Sequence, residues 1–245
     1  MKSSLEWKKW GEMDPLFAVS SWAGKEKGGK NPWTDDEFYE LGRSDCENFM
    51  PVWKSFGYDR SHCLEIGSGA GRLTRHLAEY FECITATDVS EHQLQYAQTH
   101  IDRKNIRYLK INGVDIPLQS GSVSAVFSTH VFQHFDSQED AGRVFQEISR
   151  VLKPGGTLMI HLPLYILPKY PVTPFLVGAI SLSKKLGTLR ANLHRKAGKL
   201  IMRGLVYDRA WLIDFLPTLG LRKMEFRAFT VSSNGDWHDF LLAQK

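Results

Sequence analysis

Alternating glycines between an apolar stretch and an amphipathic stretch restrict the fold of this sequence more than any other feature. Residues 62–66 form a short apolar segment, and Gly67, Gly69 and Gly71 follow at every second position. Glycine allows tight turns and close approach of the backbone to a ligand, and a helix that starts after such a loop offers free N–H groups to anions. Open α/β sheets bind nucleotides at a loop of this kind. The run therefore predicts a nucleotide-binding turn after the first strand of such a sheet.

Beyond the glycines, short apolar segments alternate with helical patterns. Strands are predicted at 62–66, 83–87, 106–111, 122–128 and 157–162, and helices at 72–80, 91–101 and 139–152. Ser90 with Gln93 forms a capping box that opens the second of these helices. Pro154-Gly155-Gly156 is expected to end the third helix and to turn the chain into the fifth strand. Repeated β-α units with apolar strands indicate a parallel sheet that is covered on both faces.

The flanking segments extend this core. Thr34 with Glu37 forms a second capping box, and residues 1–60 are predicted to form a helical cap. A helix at 207–219 and strands at 222–231 and 237–243 close the chain, and the Asn234-Gly235 turn makes these strands an antiparallel pair at the sheet edge.

The predicted fold class is α/β, with a Rossmann-like, seven-stranded, mostly parallel sheet and helices on both of its faces. The expected organisation is an N-terminal helical cap (1–60), a core (61–163), a basic helical insert after the fifth strand (164–206), and a C-terminal helix with edge strands that complete the core (207–245).

The spacing within the glycine loop excludes two common nucleotide motifs. The dinucleotide fingerprint needs glycine where Arg72 stands, and the absence of Gly-Lys-Ser/Thr excludes a P-loop. Instead, Glu65 precedes the first glycine by two residues. Further segments follow in order, and they are Thr87-Asp88-Val89-Ser90, residues 111–118, residues 128–134 and residues 150–156. In these segments the chain resembles the class I methyltransferases that depend on S-adenosylmethionine (SAM). The resemblance covers residues 33–163 well and the C-terminal strands more loosely.

The resemblance implies SAM as the cofactor and indicates where it binds. Asp88 is expected to accept hydrogen bonds from both ribose hydroxyls. Asn112 stands where the family usually has an Asp that bonds the adenine amine, and an Asn carbonyl can also accept that proton. Glu65 is expected to orient the loop or the ammonium group of SAM, and the alternative is a salt bridge to Arg72 or Arg75. The expected SAM contacts are Tyr39, Arg43, Glu65, Gly67, Ser68, Gly69, Gly71, Arg72, Asp88, Val89, Asn112, Gly113, Val114, Thr129 and His130.

Methyl transfer from a sulfonium is a direct displacement, so the protein mainly aligns two reactants and excludes water. A general base is needed only when the acceptor is a hydroxyl or a protonated amine. His130, at the end of the fourth strand, and His134, one helical turn further on, are the candidate catalytic residues. The alternative for each is a structural role in shaping the loop. His161 faces the same edge of the sheet, and the three cysteines show no metal-ligand spacing, so no metal is expected.

The segment 164–206 holds eight Lys or Arg residues and no Asp or Glu, in a chain whose net charge is +4. Leucines at helical spacing predict an amphipathic helix in this segment. Two interpretations stay open. The helix is either a lid with a solvated charged face, or it meets acidic lipid or an anionic acceptor, with peripheral membrane contact through residues 175–203.

The expected function is methyl transfer from SAM to an oxygen or nitrogen of a small-molecule acceptor, which is anionic or lipid-linked if the second interpretation of the insert holds. The alternative is a non-catalytic SAM-fold binding or regulatory protein that associates with membranes through the insert. Nucleic acid is not expected as a partner, because the fourth strand ends in Ser128-Thr129-His130-Val131 rather than in the Asp/Asn-Pro-Pro-Tyr segment of base-amine methylases.

Composition predicts a cytoplasmic location and leaves the oligomeric state open. No stretch reaches the ~18 apolar residues of a membrane span. The first ten residues lack the apolar block of a secretory signal. Cys63 and Cys83 lie in apolar strand-like runs, which suits reduced thiols in a core.

Overall fold

The structure, a computed structural model of the 245-residue chain, describes residues 2–165 and 204–245. The helices are α1 (Lys2–Met13), α2 (Pro15–Val19), α3 (Asp35–Phe56), α4 (Thr74–Leu77), α5 (Glu91–His100), α6 (Gln138–Val151) and α7 (Arg209–Phe215), with 3-10 turns at Phe132–His134 and Leu216–Leu219. The strands are β1 (Cys63–Ile66), β2 (Ile84–Asp88), β3 (Ile106–Lys110), β4 (Val123–Ser128), β5 (Leu152–His161), β6 (Leu164–Tyr165), β7 (Tyr207–Asp208), β8 (Arg222–Thr230) and β9 (Trp237–Gln244).

Seven of these strands form one sheet in the order β3-β2-β1-β4-β5-β9-β8. Strands β1 to β5 run parallel, whereas β9 runs antiparallel to both β5 and β8. The strand order reverses between β1 and β4, and ligands of open α/β sheets bind at the carboxyl ends of strands beside such a reversal. The predicted fold class is confirmed.

The central strands are apolar on both sides because helices cover both faces of the sheet. Leu64 packs into a cluster with Phe145 of α6, whereas the preceding residue, Cys63, packs into a second cluster with Trp53 of α3. Trp53 also stacks on Phe127 of β4, with ring centroids 5.7 Å apart. Full burial of a large apolar side chain contributes about 1.5–3 kcal/mol. These two clusters therefore hold the strand ends that carry the site.

Both predicted capping boxes are present as hydrogen-bonded N-caps. The Thr34 hydroxyl accepts from the Glu37 N–H at 3.3 Å, and the Glu37 carboxylate accepts from the Thr34 N–H at 3.3 Å. At the start of α5, the Ser90 hydroxyl accepts from the Gln93 N–H at 3.5 Å. Both helices begin next to the glycine-rich part of the fold, so the caps fix backbone that borders the site.

Helix α1 distributes its polar and apolar side chains in the opposite way to an ordinary surface helix. Its buried residues include Ser3, Ser4 and Glu6, whereas Leu5 and Met13 are 62% and 60% exposed. A helix that closes an apolar core directs its large apolar side chains inward. The inner face of α1 is instead polar, which suits the wall of a ligand cavity.

Two predicted boundaries near the site are wrong. The helix predicted at 72–80 is α-helical only over Thr74–Leu77, because the Glu79 and Tyr80 N–H groups bond carbonyls three residues back rather than four. The fifth strand begins at Leu152 rather than at 157, directly after α6. Leu152 pairs with Val123, and pairing resumes at Thr157 opposite Ala125. The proline and two glycines between them form a bulge inside β5 rather than a turn before it, since proline cannot donate to the ladder.

Residues 166–203 lie outside the described residues, so the predicted basic helix, its lid or membrane role and its boundaries stay predictions. The chain on either side of this gap is joined by a short parallel pair, Leu164–Tyr165 with Tyr207–Asp208. Among the described residues, no helix combines the length and apolar content that crossing a bilayer requires.

Candidate active site

The glycine loop is fixed to the end of β2 by its backbone. The N–H groups of Gly67 and Ser68 both donate to the Thr87 carbonyl, at 2.8 and 2.9 Å. Gly67 has φ +73°, and a Cβ placed on it would lie 2.1 Å from Val131 Cγ2. A Cβ on Gly69 would lie 2.5 Å from Val19 Cγ2 of α2. The loop can therefore make these close approaches only with glycine at both positions.

Asp88 closes the other side of this loop. Its two carboxylate oxygens accept from the Gly69 N–H at 3.0 Å and from the Ser90 N–H at 2.8 Å. Burial raises the pKa of Asp88, although backbone N–H groups of Ser90, Gly69 and Val89 oppose the rise. Each oxygen keeps acceptor capacity beyond its one backbone bond. The carboxylate is thus held rigidly and can accept two more donors, as a ribose diol requires.

A cavity of about 530 Å³ opens in front of the loop and the ends of β1, β2 and β4. That volume lies within the range of small-molecule sites, about 300–1,000 Å³. The predicted site residues that line it are Gly67, Gly69, Arg72, Asp88, Val89, Gly113, Thr129, His130 and His134. The structure therefore brings together the glycine loop, the ribose candidate and both catalytic candidates around one space.

Sequence reasoning missed two other parts of the lining. Helices α1, α2 and the segment after them contribute Ser3, Ser4, Trp7, Ala18, Val19 and Trp22. On the far side the cavity is bordered by Asp45, Ser233, Asn234 and His238. The inward polar face of α1 is a signal that could have indicated the first group. The positions of Ser233, Asn234 and His238 depend on the reversed direction of β9, which short-range patterns do not reveal.

Seven predicted contacts do not line the cavity, and these are Tyr39, Arg43, Glu65, Ser68, Gly71, Asn112 and Val114. The Tyr39 hydroxyl donates to the Ala70 carbonyl at 3.1 Å, so it supports the loop from behind. Arg43 is exposed and pairs with Glu40 at 3.0 Å. Their direct contact with SAM stays a prediction, and the bonds found here are structural.

Asn112 also has a structural role in the described residues. Its side-chain carbonyl accepts from the Val114 and Asp115 N–H groups, both at 2.9 Å, and its amide donates to the Asp115 carboxylate. The exposed side chain therefore closes a local turn. The turn places Gly113 at the cavity wall, while the adenine contact of Asn112 stays a prediction.

Glu65 is buried beneath the loop rather than in the cavity. The Thr74 hydroxyl donates to its carboxylate at 2.6 Å. Burial raises the pKa of Glu65 to about 7, against the lowering effects of Thr74 and Arg72. The alternative salt bridge from Glu65 to Arg72 or Arg75 is wrong, because Arg72 pairs with Asp45 and Arg75 lies over the Tyr39 ring.

The Arg72–Asp45 pair is buried at the cavity wall, and the Ser233 hydroxyl also donates to Asp45, at 2.6 Å. Arg72 Nε and Gln93 Oε1, which belong to two lining residues, are buried without a hydrogen-bond partner among the described residues. Buried polar atoms are usually satisfied by protein, water or ligand. One unused donor and one unused acceptor therefore remain at the wall beside Asp88.

Three histidines meet beside the cavity, and two of them, His130 and His238, line it. His130 follows β4 with φ +55°, a conformation that is uncommon for a residue other than glycine and that occurs at functional sites. Its Nε2 lies 3.2 Å from Nε2 of His238, and its backbone N–H donates to Nδ1 of His161 at 3.4 Å. We name His130, His161 and His238 the histidine cluster.

Burial disfavours the protonated form of two members of the cluster, His130 and His161. Burial, followed by the neighbouring His161 and Arg72, lowers the pKa of His130 well below its ordinary value. Burial and the neighbouring His238 and His134 lower the pKa of His161 to about 3. A ring with so low a pKa is a weak proton acceptor, so His130 is poorly suited to act alone as a general base.

His134 stands apart from the cluster. It lies in the 3-10 turn Phe132–His134, and its ring packs against Trp7 of α1 with centroids 4.7 Å apart. Its Nε2 lies 3.2 Å from the amide nitrogen of Gln133. The contact with α1 supports the structural alternative for His134, while a catalytic role stays a prediction.

Comparison with known proteins identifies a methyltransferase domain in the core of the chain. Residues 64–160 match the family model of the methyltransferase domain. The chain is 29% identical to the sarcosine/dimethylglycine N-methyltransferase of Halorhodospira halochloris over 140 residues, which cover 54% of this chain and 48% of that protein. The chain spans about half the length, or less, of the curated relatives that it matches.

Two solved structures share the fold. A SAM-dependent methyltransferase from Aquifex aeolicus has a TM-score of 0.55 and 21% identity, over 86% of this chain and 98% of that one. The magnesium protoporphyrin IX methyltransferase of Synechocystis, with bound SAH, has a TM-score of 0.57 and 16% identity, over 89% and 90% of the two chains. Residues 64–160 therefore carry a methyltransferase domain, and the matched proteins and structures support SAM as its cofactor.

Proposed function

We propose that this protein transfers the methyl group of SAM to a small-molecule acceptor. The observation that carries the proposal is the cavity. Asp88, the glycine loop, His130 and His238 of the histidine cluster, and polar residues of α1 all line this one space. A concave site of about 530 Å³ suits a cofactor with a small acceptor better than it suits a folded macromolecule.

The residues at the loop fit SAM through their free hydrogen-bonding capacity. Asp88 would accept the ribose hydroxyls, and the unpartnered Arg72 Nε and Gln93 Oε1 would find an acceptor and a donor in the ligand. When bound, SAM supplies an already activated methyl group. The chain then has to align the acceptor and exclude water, and the covering helices α1 and α2 serve both tasks.

The names of the relatives support a small acceptor. The Halorhodospira protein is named for sarcosine and dimethylglycine, and the Synechocystis structure for magnesium protoporphyrin IX. The acceptors in these names differ widely, so the names favour small molecules as a class and do not favour one compound. The alternative of a non-catalytic binding protein finds no support in them, because both are methyltransferases.

Location and partners belong to the same proposal. Cys46, Cys63 and Cys83 are free thiols, as expected in the cytoplasm. We expect no nucleic-acid partner, because Arg72 is the one Lys or Arg among the described residues that line the cavity, and it is paired with Asp45. Contact of residues 175–203 with an acidic membrane or an anionic acceptor stays a prediction, since these residues lie outside the described ones.

Calorimetric titration with SAM and with S-adenosylhomocysteine tests the cofactor site. Asp88→Ala should weaken SAM binding about 100-fold, because it removes two charge-assisted hydrogen bonds worth about 1.5 kcal/mol each. Asp102→Ala, a change of an exposed carboxylate after α5, is the matched control and should bind SAM as the unchanged protein does. Circular dichroism verifies that both variants are folded.

The acceptor class is tested with SAM that carries a radiolabelled methyl group, incubated with a cell extract that is afterwards separated by size. The proposal expects label in the low-molecular-mass fraction. No heat with either ligand, or label confined to protein or nucleic acid, would contradict it.

A further inference from the structure

Three imidazole rings converge at one edge of the sheet because three neighbouring strands place them there. His130 follows the end of β4, His161 is the last residue of β5, and His238 is the second residue of the antiparallel β9. The ring centroids lie 4.6 Å apart for His130 and His161, and 5.0 Å apart for each of the other two pairs. Two of the rings are therefore carried by strands of the sheet, and the third follows the end of a strand by two residues.

The nitrogen positions approach those of a tetrahedral metal site. Zinc binds imidazole nitrogen at about 2.0–2.1 Å, so two nitrogens on one tetrahedral ion lie about 3.3 Å apart. His130 Nε2 and His238 Nε2 are 3.2 Å apart. One candidate ligand atom from each of the three rings lies within 4.8 Å of the others.

The protonation of His238 favours coordination. Its Nδ1 lies 3.2 Å from the Asp236 carbonyl oxygen, which can only accept, so Nδ1 carries the proton. The lone pair of Nε2 is then directed at His130. A ligating histidine typically donates its other N–H to a carbonyl or carboxylate in this way, which fixes its tautomer and orientation.

The surroundings suit a divalent transition metal. Three imidazole nitrogen donors without a carboxylate favour zinc and its neighbours over magnesium or calcium. The nearby positive charge on Arg72 is balanced by its buried partner Asp45. His130 and His238 border the cavity, whereas His161 lies behind them. A metal held here would therefore have its remaining position directed toward the cavity.

We propose that His130, His161 and His238 bind one divalent transition-metal ion such as zinc, with one coordination position open to the cavity. An oxygen atom of an acceptor or a water molecule would occupy that position and be polarised there. The competing state of the same geometry is a plain hydrogen bond between the two Nε2 atoms, with no metal bound.

Metal binding is tested directly with protein free of an affinity tag, stripped with a chelator and passed through a desalting column. Titration with cobalt(II), which reports tetrahedral nitrogen coordination by its visible absorption, should saturate at one equivalent. Elemental analysis after incubation with zinc should give the same stoichiometry. His161→Gln and His238→Gln should each weaken zinc binding by more than about 100-fold. Loss of a residue that only hydrogen-bonds to a metal ligand weakens binding by about 100-fold at most.

His92→Gln is the matched control, because His92 is exposed on α5 and lies outside the cluster. It should bind zinc as the unchanged protein does. Zinc should also raise the melting temperature of the unchanged protein and of this control but not of the cluster variants, whose fold circular dichroism verifies. Metal content below a tenth of an equivalent in the unchanged protein, or equal binding by cluster and control variants, would overturn the proposal.

The outcome is separable from that of the proposed function. SAM titration of the metal-free protein reports the cofactor site alone. Heat with SAM but no metal binding overturns the metal site and leaves methyl transfer standing. Metal binding without SAM heat contradicts the proposed function and supports the metal site.

Discussion

Replacement of Glu65 by glutamine should remove a pH-dependent loss of stability from this protein. The carboxyl is 3% exposed, accepts from Thr74 and has no ion-pair partner among the described residues. Its pKa is about 7 in the folded protein, against an ordinary value of 4.5. The folded state therefore holds the proton more tightly than the unfolded state does. The stabilising contribution of the protonated Glu65 carboxyl is fully present below about pH 4.5, and it is lost as the pH rises through about 7.

The magnitude follows from the shift. Each pKa unit corresponds to about 1.4 kcal/mol, so a shift of this size lowers the free energy of unfolding by about 3 kcal/mol between pH 4 and pH 8. Glutamine keeps an oxygen for the Thr74 hydroxyl but cannot ionise. The stability of Glu65→Gln relative to the unchanged protein should therefore increase by about 3 kcal/mol across this range.

Urea unfolding followed by circular dichroism at pH 4.5, 6, 7 and 8 measures this difference. Glu82→Gln, a change of an exposed carboxylate before β2, is the control and should show no such trend. The comparison with the unchanged protein at each pH cancels the contribution of other groups, such as Asp88. A constant difference between Glu65→Gln and the unchanged protein at pH 4.5 and pH 8 would refute the reasoning.

Two further substitutions test the packing of the site by urea unfolding. Gly67→Ala should cost about 1–2 kcal/mol for its positive φ and about 1–3 kcal/mol more for the clash with Val131. The control Gly155→Ala has a similar φ of +78° but no atom within 4 Å, so it should show the first cost alone. Asp45→Asn leaves the buried Arg72 without its charge partner and should cost about 3–5 kcal/mol. Removing the charge of the exposed Glu79, which pairs with Arg103, should cost no more than about 1 kcal/mol.

Features set by neighbours in the chain could be predicted from the sequence. The helix caps at Thr34 and Ser90 depend on residues three positions away. The Thr34 box is complete, whereas Ser90 caps α5 without the return bond, because the Gln93 amide donates to the Pro15 carbonyl. The order of strands and helices follows from the different periods at which apolar residues recur in the sequence. The glycine loop follows from the spacing of its three glycines. The sheet and the position of Asp88 beside the loop could therefore be inferred without a structure.

Features set by distant residues could not be inferred in this way. Arg72 pairs with Asp45, 27 residues earlier in the chain, whereas the sequence suggested the nearby Glu65. His130 and His161 were singled out because each ends a strand, but His238 was not, because it begins one. The extent of β5 was also missed, because its pairing continues across a bulge of residues that normally end a strand.

The reversed direction of β9 determines which part of the protein can diversify. Because β9 starts at the sheet edge where β4 and β5 finish, the C-terminal hairpin supplies one wall of the cavity through Ser233, Asn234 and His238. The match to the family model ends at residue 160. A chimera that exchanges only residues 64–160 would carry the glycine loop, Asp88 and His130 with it but keep the hairpin wall of the recipient. That wall can therefore change without any change in the glycine loop.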